Sequence, residues 1–280
     1  MKKYKASNLS DQYFWQENFD DYSRNQAVDY DNKIKKYPFN TYLYDTLLKN
    51  ILKDTLPKTS LKILDAGGGT GKWTNYFLEQ GHNVTILDIS KSMLSIAKNN
   101  INSKYKSNVT FYNGSIVELP YKNNTFDLVF SDRNPISHCG NKALSHTAIK
   151  ECFRVLKSDG YFIGSVLNKN RKVAQLIEEM EIDDAIKLYQ TGDFTRSKNQ
   201  ITHYYTIDEI KNELKKNHIY DYKLIPTTVF SEFIKNAWLL DEIVLNDLLN
   251  LELMANNDPE ITNYGVRIHI IAKKGDKNGI

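Results

Sequence analysis

An aspartate and three evenly spaced glycines form the segment of this chain whose residue types point most clearly to chemistry. They are Asp65, Gly67, Gly69 and Gly71, within LKILDAGGGTGKWT at residues 61–74, and they follow a short apolar run. Glycine has no Cβ, so such a turn lets the backbone approach a bound molecule closely. Ligands of open α/β sheets bind at the carboxyl ends of the strands, which is where this loop would begin. The segment therefore predicts a nucleotide-type cofactor site.

Two common nucleotide-binding loops do not fit this spacing. A phosphate-binding loop needs GxxxxGK followed by Ser or Thr, but Ala66 stands at its first glycine and Trp73 at its hydroxyl position. A dinucleotide-binding loop needs GxGxxG, but Lys72 or Thr74 stands where the third glycine belongs. A carboxylate at the strand end also favours a ligand with an amino group and would repel a phosphate. The plain alternative is a tight β-α turn, which needs fewer glycines than this loop has.

The pattern Asp-x-Gly-x-Gly-x-Gly resembles that of the class I S-adenosylmethionine-dependent methyltransferases, and the resemblance covers residues 40–167. It implies that S-adenosylmethionine binds here and leaves as S-adenosylhomocysteine. It also implies that Asp88 accepts both ribose hydroxyls, the alternative being a charge at the start of the next helix. The family usually has an acid near the adenine amino group, whereas this chain has Ser115. The residues predicted to bind the cofactor are Asp65, Ala66, Gly67, Gly69, Gly71, Asp88, Ile89, Met93, Gly114, Ser115, Ile116 and Ser131.

The segment SDRNPISH, residues 131–138, follows the fourth predicted strand, and the resemblance implies that it faces the methyl group. Methyl transfer is an in-line displacement, so the enzyme mainly has to hold the acceptor close and aligned. Asp132 can orient a cationic acceptor; the alternative is that it pairs with Arg133 or caps a helix. His138 can act as a general base; the alternative is a structural loop histidine. We predict Asp132 and His138 as the catalytic residues.

The predicted acceptor is an amine of a small molecule or a modified peptide. An α-amine needs little beyond placement, because its deprotonation at pH 7 costs about 1.4 kcal/mol. The alternatives are O- or C-methylation of a metabolite, methylation of tRNA or another nucleic acid, and cofactor binding without catalysis. The aromatic N-terminal arm and Asp132 also resemble the plantazolicin-type peptide N-methyltransferases, which implies methylation of an N-terminal arginine in natural product biosynthesis. The candidate acceptor contacts are Phe14, Trp15, Arg133, Asn134 and Tyr204.

The composition limits the kinds of binding partner and the cellular compartment that we expect. The net charge of the 280 residues is only +3 and the lysines form no dense block, which argues against a nucleic-acid partner. No apolar run approaches the length of about 18 residues that spans a membrane. Two cysteines without CxxC spacing and the lack of a secretory signal predict a cytoplasmic protein. The six histidines show no ligand pairing such as HExxH, so we predict no metal site.

Strands alternate with helices along the middle of the chain, which predicts an α/β fold. We expect a Rossmann-like seven-stranded methyltransferase sheet with helices on both faces. The predicted single domain has an N-terminal helical arm that acts as a lid (1–39), a cofactor-binding core (40–167), an inserted cap (168–205) and the C-terminal part of the sheet (206–280). Within these regions we expect one amphipathic cap helix over residues 175–190. We also expect a long helix from about Ser231 to Ala255.

Overall fold

The computed structural model describes residues 38–195, 200–233 and 242–275. The described strands form one seven-stranded sheet and one separate two-stranded hairpin. The sheet consists of β1 Lys62–Ala66, β2 Asn83–Asp88, β3 Val109–Asn113, β4 Phe126–Ser131, β5 Leu156–Leu167, β8 Asp221–Thr227 and β9 Arg267–Lys273. The hairpin consists of β6 Asp193–Thr195 and β7 Ile201–His203, which pair antiparallel.

The sheet has the strand order β3-β2-β1-β4-β5-β9-β8. Strands β1 to β5 are parallel, and β9 runs antiparallel to both of its neighbours. The central strands are mainly apolar and are buried along most of their length, because a sheet that is covered on both faces buries successive side chains on opposite sides. The chain order reverses between β1 and β4, and a crevice forms at such a switch point, outside the carboxyl ends of the strands. The predicted Rossmann-like methyltransferase sheet is confirmed.

Helices cover both faces of the sheet. Their bounds are α1 Pro38–Thr55, α2 Lys72–Glu79, α3 Lys91–Asn100, α4 Lys142–Val155, α5 Lys169–Glu178, α6 Ile182–Thr191, α7 Ile207–Lys216 and α8 Glu242–Ala255. One core packs α4 and α7 against the face that carries Leu64 and Val129. A second core packs α1 and α2 against the face that carries Ile63 and Leu128. Neighbouring residues of the same strand therefore enter different cores, as the pleat requires.

Helices α5 and α6 and the β6–β7 hairpin lie between β5 and α7 in the sequence, in the region where we expected a cap. The prediction of one helix over 175–190 is wrong, because the chain turns between α5 and α6. Met180 has a left-handed φ of 62°. The N–H of Glu181 donates to the Leu176 carbonyl at 2.8 Å, and that of Met180 to the Ile177 carbonyl at 3.0 Å. This bonding pattern is that of a Schellman motif, which ends a helix.

The helix expected from about Ser231 to Ala255 also has a different form. A short 3-10 turn spans Ser231–Phe233, and α8 spans Glu242–Ala255. Residues 234–241 between them lie outside the described residues. The buried carboxylate of Glu252 in α8 accepts the N–H groups of residues 229–231, which ties the 3-10 turn to α8.

The predicted lid falls almost entirely in residues 1–37, so the expectations for Phe14 and Trp15 lie outside the described residues. In the part of the chain that the structure describes, we find no helix with both the length and the apolar character needed to cross a membrane.

Candidate active site

Three glycines of the loop between β1 and α2 have left-handed backbone conformations. Their φ angles are 80° at Gly67, 54° at Gly69 and 81° at Gly71. A Cβ at Gly67 would lie 2.5 Å from side-chain atoms of Pro135, whereas a Cβ at Gly69 would meet nothing within 4 Å. Glycine is thus required at position 67 by close packing as well as by conformation. Gly69 instead faces open space, where a ligand can approach the backbone.

Asp65, near the end of β1, is a buried carboxyl group whose pKa is raised. The side chain is 2% exposed, and its Oδ2 accepts a hydrogen bond of 2.6 Å from the Thr74 hydroxyl. Burial raises the pKa of Asp65 to about 7, although the bond from Thr74 acts in the opposite direction. A cationic group brought beside this carboxyl would favour its ionised form. Asp65 is therefore suited to receive an amino group.

Asp88, at the end of β2, joins two loops of the site. Its Oδ2 accepts from the Gly69 N–H at 2.9 Å, and its Oδ1 accepts from the Ser90 N–H at 2.8 Å. Each carboxylate oxygen keeps further lone-pair capacity beyond these bonds. The backbone bonds fix the orientation of the carboxylate, so it can accept a pair of neighbouring hydroxyl groups without moving.

Two adjacent cavities of about 200 and about 50 Å³ lie at the carboxyl ends of β1, β2 and β4. Gly67, Gly69, Asp132 and Arg133 line both cavities, so the two meet at these residues. The larger cavity is lined by further predicted site residues, namely Asp88, Ile89, Met93, Gly114, Ser115, Ile116 and His138. The smaller cavity is lined by Asp65 together with Gly68, Thr70, Lys72, Trp73 and Phe130.

Three residues predicted to bind the cofactor line neither of these cavities. The Ser131 hydroxyl donates to the Ala66 carbonyl at 3.1 Å, which ties β4 to β1. Gly71 caps α2, and a Cβ there would lie 3.1 Å from that of Ala97. The structure therefore places Ala66, Gly71 and Ser131 behind the loop, where they support its shape.

Asp132 directly follows β4 and lies at the centre of a buried hydrogen-bond network. Its Oδ1 accepts from the Tyr44 hydroxyl of α1 and from the Ser165 hydroxyl of β5, the latter at 3.2 Å. The same oxygen lies 3.2 Å from Nε2 of His269 in β9. The other ring nitrogen of His269 lies 3.3 Å from the Thr227 hydroxyl of β8. Four elements of the fold thus fix the position of one carboxylate.

Asp132 is ionised although it is only 6% exposed. Burial acts to raise its pKa, but the bonds from His269 and Tyr44 and the charge of Arg133 hold the pKa at about 2. Its second oxygen, Oδ2, is buried and has no hydrogen-bond partner among the described residues. An unsatisfied charged oxygen in a buried position calls for an explanation. Because Asp132 lines both cavities, a bound molecule can supply the missing donor.

The two residues after Asp132 form a strained turn. Arg133 and Asn134 have φ angles of 61° and 67°, and left-handed backbone is uncommon for residues other than glycine. The Arg133 guanidinium lies 5.0 Å from the centre of the Tyr44 ring and 3.8 Å from Oδ1 of Asp45. The Asn134 N–H donates to the Ser165 hydroxyl at 3.1 Å. Such strain concentrates at functional sites, and here it brings Arg133 to the junction of the cavities.

His138 lines the larger cavity, and its Nδ1 lies 3.2 Å from the Thr202 hydroxyl of β7. It stands where the core meets the hairpin. Tyr204 does not lie where we expected it. Its side chain is 4% exposed and packs with Leu176 and Leu188 between the helices of this region. Because its ring fills that small core, it lines neither cavity described above.

Sequence reasoning missed the partners of Asp132, which are Tyr44, Ser165, His269 and, through His269, Thr227. Tyr44 is one of 18 tyrosines and carries no distinguishing pattern. His269 did carry a signal, since it is a histidine among the apolar residues in the interior of the strand RIHIIAK. A buried polar side chain needs a hydrogen-bond partner, so a histidine in such a strand indicates a polar network.

Residues 63–160 match the model of a protein family described as a methyltransferase domain. The chain is 29% identical to an uncharacterised protein of Methanocaldococcus jannaschii, over 82% of this chain and 86% of that protein. It is 37% identical to the demethylmenaquinone methyltransferase of Lactococcus lactis over 36% of this chain. The match spans only 40% of the length of that enzyme.

A solved structure of similar fold is the Burkholderia thailandensis 1,6-didemethyltoxoflavin N1-methyltransferase with bound 1,6-didemethyltoxoflavin and S-adenosylhomocysteine. The TM-score is 0.56 at 17% identity, and the match covers 99% of this chain and 94% of that one. At this identity the likeness concerns the fold. The segment matched by the family model runs from β1 into β5 and contains the glycine loop, Asp88 and Asp132.

Proposed function

We propose that this S-adenosylmethionine-dependent methyltransferase, whose fold is that of class I, methylates an amine nitrogen of a small molecule or modified peptide. The observation that carries this proposal is the buried, ionised Asp132, whose Oδ2 has no hydrogen-bond partner among the described residues. An amine N–H is a donor that this oxygen can accept.

The two adjacent cavities fit S-adenosylmethionine. When it is bound, this cofactor supplies an electrophilic methyl group on its sulfonium. Asp88 and the backbone of residues 114–116 would hold the adenosine part in the larger cavity. Asp65 would hold the amino group in the smaller cavity. No side-chain carboxylate stands at Ser115, so backbone groups there would contact the adenine. Asp132 and Arg133 lie where the two cavities meet and would therefore face the acceptor.

The charge of Asp132 distinguishes between kinds of acceptor. An amine gains positive charge as it is methylated, and a fixed carboxylate beside it stabilises that charge. Oxygen and carbon acceptors usually react as anions, which the same carboxylate would repel. A carboxylate with a pKa of about 2 is also a weak base. Asp132 is thus suited to orient an N–H and to stabilise the developing charge, while the amine loses its proton to solvent.

The other groups at the junction suggest the rest of the acceptor. Arg133 lines both cavities and carries a positive charge that can pair with an anionic group of the acceptor. His138 lies beside the larger cavity and is a second candidate to receive a proton. An amino acid or the N-terminus of a peptide would satisfy Asp132 with its amine. The α-amine of an N-terminal arginine on an azole-rich peptide remains the narrower form of this proposal.

The experiment that tests the proposal compares Asp132→Asn with the parent protein. The change keeps an oxygen for Tyr44, Ser165 and His269 but replaces the negative charge with a neutral amide. We expect methyl transfer to an amine to fall at least about 100-fold, because a charged hydrogen bond is worth about 1.5–3 kcal/mol and the transition-state charge adds to it. Binding of S-adenosylmethionine, measured by calorimetry, should change much less.

The matched control is Asp127→Asn, which removes a carboxylate from the opposite end of the same strand, where it bonds Lys157 and the Lys62 N–H.

Acceptors come from a panel of amino acids, their esters, N-terminal arginine peptides with azoles, phenols, quinols and bulk tRNA. Mass spectrometry detects the methylated products. Transfer to a quinol or phenol that Asp132→Asn leaves intact would support O- or C-methylation instead. Cofactor binding with no transfer to any acceptor would support a non-catalytic role.

A further inference from the structure

Two histidines and a glutamate from separate elements converge on the side of the fold where the β6–β7 hairpin meets the core. His146 lies in α4, His203 ends β7, and Glu209 lies in the first turn of α7. Nε2 of His146 lies 3.1 Å and Nε2 of His203 lies 3.2 Å from the same oxygen, Oε1 of Glu209. All three atoms lie within 4.8 Å of one another. Among the described residues, this is the group whose ligand atoms are placed to hold a metal ion.

Each imidazole also faces a carboxylate with its second nitrogen. Nδ1 of His203 lies 2.7 Å from Oδ1 of Asp193, and Nδ1 of His146 lies 3.3 Å from Oε1 of Glu213. A neutral imidazole has one N–H and one lone pair. With the N–H given to Asp193 or Glu213, the lone pair of each Nε2 points at the Glu209 oxygen. A cation placed between the three atoms would accept these lone pairs, whereas without an ion a protonated imidazole can donate to both of its carboxylates.

We propose that His146, His203 and Glu209 bind a divalent transition-metal ion, with Zn²⁺ as the best match. Two imidazole nitrogens and one carboxylate oxygen are ligands that Zn²⁺ takes in tetrahedral sites. Histidine ligands of metals almost always donate their other N–H to a carboxylate, a carbonyl or water. Asp193 and Glu213 supply this second layer here. His146 and Glu209 are partly exposed, so water can complete the coordination.

Lys142 is the group that competes with the ion. Its Nζ lies 2.6 Å from Oε1 of Glu209, and its side chain is 52% exposed. A long, flexible ammonium side chain can leave for solvent at little cost, whereas the two imidazoles are held by their carboxylates. We expect the ion to displace Lys142 from Glu209 and to leave the rest of the cluster in place.

The ion would hold the hairpin against the core beside the larger cavity. His203 belongs to the hairpin, and its N–H donates to the carbonyl of Ser137 at 2.8 Å, next to His138. His146 and Glu209 belong to core helices. None of the three lines either cavity described above, so the ion has a structural role and touches neither cofactor nor acceptor. This proposal is independent of the choice of an amine as acceptor.

The test is a Zn²⁺ titration of the full chain after treatment with a chelator, in competition with a chromophoric indicator. We expect one ion per chain. Asp193→Asn, which removes an outer carboxylate, should weaken binding about 10- to 100-fold, and His146→Gln should weaken it further. The amide of Gln can donate to Glu209, and position 146 is partly exposed, so this variant should fold. The control is His218→Asn, an exposed histidine with a φ of 58° that asparagine tolerates.

Two further results decide between a metal site and a metal-free ion-pair cluster. Lys142→Met should tighten Zn²⁺ binding, because it removes the competing ammonium. Co²⁺ in place of Zn²⁺ should give the visible absorption of a tetrahedral ion with the parent protein and lose it with His146→Gln. Absence of stoichiometric Zn²⁺ binding, or equal binding by the parent protein, His146→Gln and Glu209→Gln, would overturn the proposal. Binding of S-adenosylmethionine, measured in parallel, reports separately on the cofactor site.

Discussion

Asp65 shows how burial of a single residue can couple cofactor binding to pH. Burial raises its pKa to about 7 while the Thr74 hydroxyl acts to lower it. In the free protein at neutral pH, this carboxyl is therefore protonated in about half of the molecules. A cationic amino group beside it stabilises only the ionised form. If Asp65 holds the amino group of the cofactor, as we propose, binding releases about half a proton per chain at pH 7 and approaches one proton at lower pH.

We therefore expect the affinity for S-adenosylmethionine to be roughly fivefold lower at pH 6 than at pH 7. The α-amino group of the ligand, with a pKa near 8, stays largely protonated over this range. Calorimetry in buffers of different ionisation enthalpy measures both the affinity and the released proton. Thr74→Val should shift the dependence to higher pH, whereas Thr110→Val, at an exposed site in β3, should not. An affinity that does not change between pH 6 and pH 7 would contradict this coupling.

Sequence and structure differ in how much they reveal of Asp132. That an aspartate follows β4 could be predicted, because the order of strands and loops can be inferred from the sequence pattern. Its partners could not, since Tyr44 lies 88 positions before it and His269 137 positions after it. Their contact depends on β9 pairing with β5 and on α1 packing across the sheet. Such pairings are set by tertiary packing: a histidine in an apolar strand indicates that it has a polar partner, but the local pattern does not identify that partner.

At the scale of elements, the helix ends that could be predicted are those marked by a typical stop residue. Gly81 is such a residue, since it stands two positions after the end of α2 and has a φ of 85°. The break between α5 and α6 has the same left-handed geometry, but Met180 occupies the position where glycine usually stands. The sequence pattern continued through it, so one helix was expected instead of two. The packing of both helices around Leu188 and Ala185 holds the turn in place.

The left-handed turn at Met180 leads to a prediction about the stability of the protein. A left-handed residue other than glycine costs about 1–2 kcal/mol, and Met180 is 80% exposed, so its side chain packs little. We expect Met180→Gly to raise the free energy of unfolding by about 1 kcal/mol, after the entropy cost of glycine, and the Tm by about 2 °C. The control is Lys187→Gly, at an exposed position inside α6, which should lower stability by about 1 kcal/mol. Denaturant unfolding measures the stability of both variants. Equal losses of stability in Met180→Gly and Lys187→Gly would contradict the expected stabilisation at Met180.

At the scale of the whole molecule, the small net charge is evidence against a nucleic-acid partner. The net charge is +3 in 280 residues, and the lysines form no dense block. Binding to nucleic acid depends on many contacts between phosphates and basic side chains. The ionised Asp132 at the junction of the cavities would add repulsion to an approaching phosphate backbone.

We accordingly expect no transfer of labelled methyl groups to bulk tRNA or DNA, and no binding of either at about 150 mM salt. Filter binding over a salt series and scintillation counting measure the two quantities. A steep loss of affinity with salt, of about 1,000-fold or more between 50 and 200 mM, would indicate several phosphate contacts and would contradict this expectation.

If Asp132 orients the acceptor, as we propose, the network around it also bears on how acceptor specificity diverges among relatives. The family model matches residues 63–160, whereas Tyr44, Ser165, Thr227 and His269 all lie outside that stretch. A relative aligned over about this stretch therefore shares the cofactor loop without necessarily inheriting the residues that hold Asp132. Changes on either side of the shared stretch can redirect the enzyme to a new acceptor and leave the methyl donor in place. Acceptors should be inferred from relatives only when the flanking residues match as well.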